Sequence, residues 1–230
     1  MIRWDEPGYV VAFTTRVGGV SDGVYASLNL TRGTGDDAHK VEENRRLACE
    51  TLGLPHERLA FNRQVHSPTV HQAHRAGRGE PGDGLWSDEP RLPMLAMSAD
   101  CLPIAIARTE GPRALAVLHA GWRGLAEGVV AAGVEALRAR STQRLAAVVG
   151  PAIGPCCYEV GPEVSALFDD DLTVHGRLDL WRAAERALRE AGVERVDRVD
   201  LCTRDHPDLF FSHRRDGLAR GVQGVIGALA

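Results

Sequence analysis

Three apolar runs follow one another closely in the middle of the chain: Leu92 to Ser98, Leu102 to Ala107 and Ala114 to Leu118. Each has turn signals at its ends and reads as a strand. None alternates apolar with polar residues, so they cannot form a sheet with one face in water. Both faces must be covered. Further strands are expected at Tyr9 to Thr14, Gln64 to Gln72, Leu145 to Val149 and Val196 to Cys202. Apolar residues three to four apart predict helices over Val41 to Leu52, Leu125 to Arg138, Pro162 to Phe168, Leu178 to Ala191 and Leu218 to Leu229. Two strands back to back across Ser98 to Leu102 argue against a regular βαβ winding. The expected class is α+β: a single domain over residues 1–230, with mixed β-sheets covered by helices.

Composition narrows the function. With 44% hydrophobic and 25% charged residues in 230, the chain can bury a core without disulfides and is not expected to be disordered. Its 27 basic and 31 acidic residues leave a net charge of −4, and aromatics are only 5%, so nucleic-acid binding is not expected. Lys40 is the sole lysine and lies in a charged helical turn, which argues against a Schiff-base or pyridoxal-phosphate enzyme and against a Walker A loop. The start, MIRWDEPGYVVAF, carries acidic residues where a signal peptide has its apolar core, and no 18-residue apolar run occurs. A cytoplasmic protein without membrane association is expected, its five cysteines kept as thiols.

The Gly-rich stretch 76–84 reads as a loop. It contains Gly77, Gly79 and Gly82 at the spacing of a dinucleotide fingerprint, but Pro81 lies inside it and no helix pattern follows, so no nucleotide cofactor is assigned.

The scarce reactive residues gather at strand ends. Cys101 in ADCLP and His119 in LHAGWRG each adjoin an apolar strand, and His66 in QVHSP is placed in a short strand ended by Pro68. Strand ends can hold side chains to the tolerance a site needs. Two imidazoles and a thiolate suit Zn²⁺ with one open position, although spacings of 35 and 18 residues match no local metal pattern. The same atoms also allow a Cys101 nucleophile activated by His66 or His119 and oriented by Asp100. HAGWRG opens a helix, so its free N–H groups and Arg123 would favour an anion. Arg214 and Arg215 read as a second anion clamp, and Asp83 and Asp100 as contacts to substrate or as turn residues. Cys156-Cys157 reads as a tight turn, with metal ligation the alternative, and Asp169 to Asp171 as a solvated turn. His71 and His74 read as surface imidazoles.

The ordered set TTRVGG, YASLNL, ENRR, QVH, DGL, ADCLP, HAGWRG, GPAIGPCCYEVG, CT and FFSHRRDG resembles the YfiH/laccase-domain family across nearly the whole chain. The resemblance implies a purine nucleoside phosphorylase of broad range, acting with phosphate on adenosine, inosine, guanosine and methylthioadenosine, and also deaminating adenosine. It implies one zinc held by His66, Cys101 and His119. Copper would be an adventitious or alternative metal, because laccase chemistry needs several coppers and only three good ligands are in view. An amidase that edits peptidoglycan precursors, removing L-Ser from a muramyl nucleotide, is the alternative chemistry; a closed, zinc-stabilised interaction module fits an open three-ligand site poorly. The partners expected are purine nucleosides and phosphate, and no protein partner is inferred. The chain departs from the family after RRDG, reading LARGVQG, which leaves Arg220 without an assigned role.

Overall fold

The computed structural model describes residues 1–138 and 144–230. In chain order the first strands are β1 (Ile2–Trp4) and β2 (Tyr9–Phe13), then helix α1 (Ala38–Thr51). Next come β3 (Ala60–Arg63), β4 (Val70–Gln72), β5 (Gly77–Pro81), β6 (Gly84–Ser87), β7 (Met94–Ser98), β8 (Leu102–Arg108) and β9 (Leu115–Ala120). Helices α2 (Trp122–Ala126) and α3 (Val129–Arg138) lead to β10 (Leu145–Val149), and α4 (Pro162–Ser165) to the short pair β11 (Thr173–Val174) and β12 (Arg177–Leu178). The chain finishes with α5 (Leu180–Glu190), β13 (Arg195–Arg198), α6 (His213–Asp216) and β14 (Gln223–Leu229).

Two six-stranded mixed sheets result, ordered β1-β2-β14-β7-β3-β5 and β13-β10-β8-β9-β6-β4. They pack face to face. Tyr9, Val11, Phe13, Met94 and Val225 of the first sheet share one core with Ala105, Leu115, Val117 and Val148 of the second. The opposite face of the second sheet, through Ile104, Ile106, Leu118 and Val149, packs on α3 and α5. The opposite face of the first sheet, through Ala12, Leu95 and Ile226, packs on α1. Four layers, helix, sheet, sheet and helices, bury both faces of the central strands β7, β8, β9, β10 and β14. That explains why the apolar runs do not alternate: in β8 successive residues enter different cores, and both are dry. Gly133 lets α3 approach closely, since a Cβ there would stand 2.9 Å from a Leu118 methyl. The α+β class with mixed sheets covered by helices is the observed architecture.

Four local expectations fail for identifiable reasons. The helix expected over Leu218 to Leu229 is instead β14, paired antiparallel with both β2 and β7. Short apolar runs fit either period, and Gly224 and Gly227 cost a helix about 1 kcal/mol each while allowing close approach between strands. The Gly-rich loop contains β5, a parallel edge strand beside β3, where Pro81 is tolerated because its missing N–H faces no partner strand. The strand expected over Gln64 to Gln72 survives only as β4; residues 64–69 form a turn. The helix expected from Leu125 divides into α2 and α3 around Gly128, whose φ is +93°.

Candidate metal and substrate site

A cavity of about 1160 Å³ opens at the far ends of β3, β7 and β9 and just before β14, and is lined also by α1 and residues 31–34. His66, Cys101 and His119 sit together in its wall, their ligand atoms all within 4.8 Å of one another. His119 is the last inward-facing residue of β9 and is 4% exposed. Cys101 is in the tight connection from β7 to β8. His66 lies in the turn after β3, with a left-handed φ of +61°, and its ring meets His119 edge-on with centroids 4.9 Å apart. The Cys101 Sγ is 4.0 Å from His66 Nε2.

Asp83 holds this arrangement. It is 1% exposed and sits just before β6. Its carboxylate accepts the backbone N–H groups of Val65, His66 and Ser67 at 3.0, 3.0 and 2.8 Å, the Ser67 hydroxyl at 3.1 Å, and His119 Nδ1–H at 2.8 Å. Those N–H groups are what a strand would have given to a neighbour, so one carboxylate both bends residues 64–69 away from strand geometry and fixes the His119 ring. Burial opposes ionisation of Asp83, but the His119 hydrogen bond and the Ser67 and Val65 N–H groups outweigh it and hold the carboxyl well below the usual range. With Nδ1 protonated toward Asp83, His119 is free to present Nε2 to the cavity.

Enclosure likewise opposes the charged forms of Cys101 and His119, yet their mutual attraction prevails. The Cys101 thiol is brought down to about 6, chiefly by His119, and His119 is pushed up to about 9, chiefly by Cys101 and Asp83. Each thus favours the charged form of the other. The donor set fits a zinc ion: two imidazole nitrogens and one sulfur, with Asp83 fixing the tautomer of one imidazole from behind. Gly121 keeps the space around them, since a Cβ there would lie 3.0 Å from both Cys101 Sγ and His66 Cδ2.

The other residues singled out in the sequence lie elsewhere or act differently. Asp83 has all its lone-pair directions occupied by the turn and His119, so it positions the site and leaves nothing for substrate. Asp100, also in a left-handed conformation, accepts the Thr203 hydroxyl and the Arg214 N–H, each at 2.6 Å; it anchors the Cys101 connection and does not orient either histidine. Arg123 is exposed over the Trp122 ring, 5.3 Å from its centroid, because the short α2 carries it away from Gly121 and out of the cavity wall. The anion grip expected at HAGWRG is therefore not formed there. Arg215 donates to Asp216 and to the carbonyls of Thr203, Arg204 and Phe210, which leaves no free edge for a clamp. Arg214 binds the Glu159 carbonyl and stacks on Tyr158 outside the cavity. His71 is half-buried and contacts the Pro81 carbonyl, while His74 is exposed. Asp169 and Asp171 form a surface network with Arg182 and Arg186.

Four cavity residues have no role in the sequence reading. Thr34 Oγ1, Asn62 Oδ1, Ser98 Oγ and Arg220 Nε are buried and lack hydrogen-bond partners, and all four residues line the cavity. Buried polar atoms are otherwise nearly always paired, so four orphans on residues around one space single that space out. Phe61 adds an apolar surface in the same wall, its ring stacked under Arg45 at 4.2 Å. The periodicity around FNR and MLAMS could reveal strands but not which residue stands at the open end.

Comparison with known proteins identifies the family. Residues 10–229 match the family described as multi-copper polyphenol oxidoreductase laccase. The chain belongs to the YfiH/laccase-domain family. A Haemophilus influenzae relative, named purine nucleoside phosphorylase, is 34% identical over 97% of this chain and 96% of its own length. A Pseudomonas aeruginosa relative of the same name is 39% identical over 92% of this chain and 90% of its own. A crystal structure of a Neisseria meningitidis protein superimposes with a TM-score of 0.89 at 34% identity, covering 99% of this chain and 97% of that one. In this YfiH/laccase-domain chain no helix among the described residues is long and apolar enough to cross a membrane.

Proposed function

We propose that this chain is a zinc-dependent purine nucleoside phosphorylase, converting adenosine, inosine, guanosine or methylthioadenosine and phosphate to the free base and ribose 1-phosphate, and also deaminating adenosine. The observation that carries the reading is the convergence of the His66–Cys101–His119 trio with four residues bearing unpartnered polar atoms on one cavity large enough for a nucleoside and phosphate. The names of the relatives supply the substrate class.

Phosphorolysis needs phosphate held against C1′ of the ribose and a proton for the departing purine. Arg220 faces the cavity with a free Nε–H, while its Nη1 is held by the Gly217 and Leu218 carbonyls, so the guanidinium meets an anion already oriented. Ser98 and Asn62 offer neutral polar atoms suited to the ribose hydroxyls or the edge of the base, and Phe61 offers an apolar face for it. Zinc held by His66, Cys101 and His119 would supply a Lewis acid beside these groups. Asp83 keeps His119 in one tautomer throughout and so limits the reorganisation that the reaction demands.

The deciding experiment incubates zinc-loaded protein with adenosine, with and without phosphate, and separates adenine, inosine and ribose 1-phosphate by chromatography. Adenine formed only with phosphate, and lost in Cys101→Ala, is expected. Release of L-Ser from a muramyl nucleotide with no reaction of adenosine would reassign the site to amide hydrolysis.

A further inference from the structure

A second group of metal-ligating side chains lies outside the cavity wall. Cys156 and Cys157 occupy the turn after β10, and Cys202 and Asp205 the turn that follows β13. Their ligand atoms all lie within 4.8 Å of one another. The Cys156 and Cys157 sulfurs each stand 3.0 Å from a different oxygen of Asp205, and Cys202 Sγ accepts the Gly154 N–H at 3.3 Å. None of the four lines the cavity, so the proposed phosphorolysis does not use them.

We infer that Cys156, Cys157, Cys202 and Asp205 form a second, closed metal site that binds a thiophilic divalent cation, zinc being the fitting one. Four ligands complete a tetrahedron, and three sulfurs with one carboxylate exclude the hard cations magnesium and calcium, which take oxygen shells. A tetrahedron with metal–sulfur bonds of about 2.3 Å has edges of about 3.8 Å, so the observed cluster closes around an ion with shifts of about an ångström or less. Metal entry displaces the three thiol protons to solvent. Three thiolates and a carboxylate then surround a dication, and the excess negative charge is met by Arg204, which lies beside Cys157.

The placement gives such an ion a structural task. It would join two turns separated by 45 residues or more in sequence, and few backbone bonds do the same work locally: Ala152 and Cys202 form a single isolated bridge, and Thr203 N–H reaches the Ala152 carbonyl at 3.0 Å. Thr203, next to Cys202, donates its hydroxyl to Asp100, which adjoins Cys101. The second ion would thus steady the segment behind the first site without facing substrate.

The test uses the full chain, reduced, loaded with zinc and freed of excess. Elemental analysis should find about two zinc ions per chain in the unaltered protein, about one in Cys156→Ser or Asp205→Asn, and about one in Cys101→Ala. Cys156 and Asp205 are exposed, so their variants should fold, which circular dichroism checks. Cobalt substitution separates the sites: the ion retained by Cys101→Ala should show sulfur-to-cobalt charge transfer about three times as intense as the one retained by Cys156→Ser, one contribution per bound thiolate. Equal zinc content in the unaltered protein, Cys156→Ser and Asp205→Asn would overturn the site. So would a Cys157–Cys202 disulfide in the isolated chain. Loss of nucleoside cleavage with both ions still bound would count against the proposed reaction and leave this site standing.

Discussion

Two clusters in this molecule each join cysteine to other metal-binding side chains and differ in what surrounds them. His66, Cys101 and His119 come from separate turns and strand ends around a cavity; three ligands leave one side open, and Asp83 fixes the set from behind. Cys156, Cys157, Cys202 and Asp205 come from two turns, and their four ligands complete a tetrahedron around the inferred ion. Openness, not ligand type, separates a site built for chemistry from one built to tie the chain together. Charge tells the same story. Cys101 faces an imidazolium and ionises readily, whereas burial and the Asp205 carboxylate both push the Cys156 and Cys157 thiols up.

The strongest test of the contrast is Cys101→Ala. It should lower phosphate-dependent release of base by about a thousandfold or more and remove one metal ion, while the ion bound through Cys156 stays. Steady-state rates and metal content on one sample check both halves. An active Cys101→Ala enzyme would mean that the trio is not the centre of the reaction.

Asp83→Asn comes next. It keeps the shape but weakens five acceptor contacts and the tautomer of His119, so activity should fall about 10- to 100-fold and stability by about 2–4 kcal/mol in urea unfolding. The folded carboxyl sits below its unfolded value near pH 4, so its contribution is complete above about pH 4 and is lost as pH falls toward the folded value. The variant's deficit should therefore shrink in acid and stay level from pH 5 to 7.

Thiol labelling sharpens the comparison without mutation. In metal-free protein at pH 7, iodoacetamide should modify Cys101 at least about ten times faster than the more exposed Cys156, and the Cys101 rate should rise with a midpoint at about 6. Peptide mass mapping over a pH series reads both. Faster labelling of Cys156 would show that exposure governs reactivity here and that Cys101 and His119 do not favour each other's charged forms.

Arg220→Lys should raise the KM for phosphate about tenfold with a smaller effect on nucleoside, because a point charge does not replace an oriented guanidinium. Arg123→Lys should change either KM by less than about twofold, since Arg123 faces solvent over Trp122. A larger phosphate effect at Arg123 than at Arg220 would return the anion site to the HAGWRG helix.

Much of this was legible in the chain itself. Non-alternating runs such as Leu102 to Ala107 dictate strands covered on both faces, because water tolerates neither side; Cys101 and His119 beside such strands stand out as candidates, while their grouping with His66 rests on the resemblance carried by QVH, ADCLP and HAGWRG. Local sequence could not say that residues 64–69 turn and do not extend, since the agent is Asp83, 14 or more residues away. Nor could it turn residues 223–229 into a strand, which is settled by β2 and β7 on either side. The roles of the charged residues were decided last and by the tertiary structure alone. Arg123, Arg215 and Arg220 look alike in sequence, but one is out in solvent, one is saturated by carbonyls and Asp216, and one keeps a free Nε–H at a cavity wall. Packing patterns are written locally because every turn of chain must bury its own apolar face. Hydrogen-bond partners are assigned only when distant segments meet, and it is those partners that decide what a polar side chain can do.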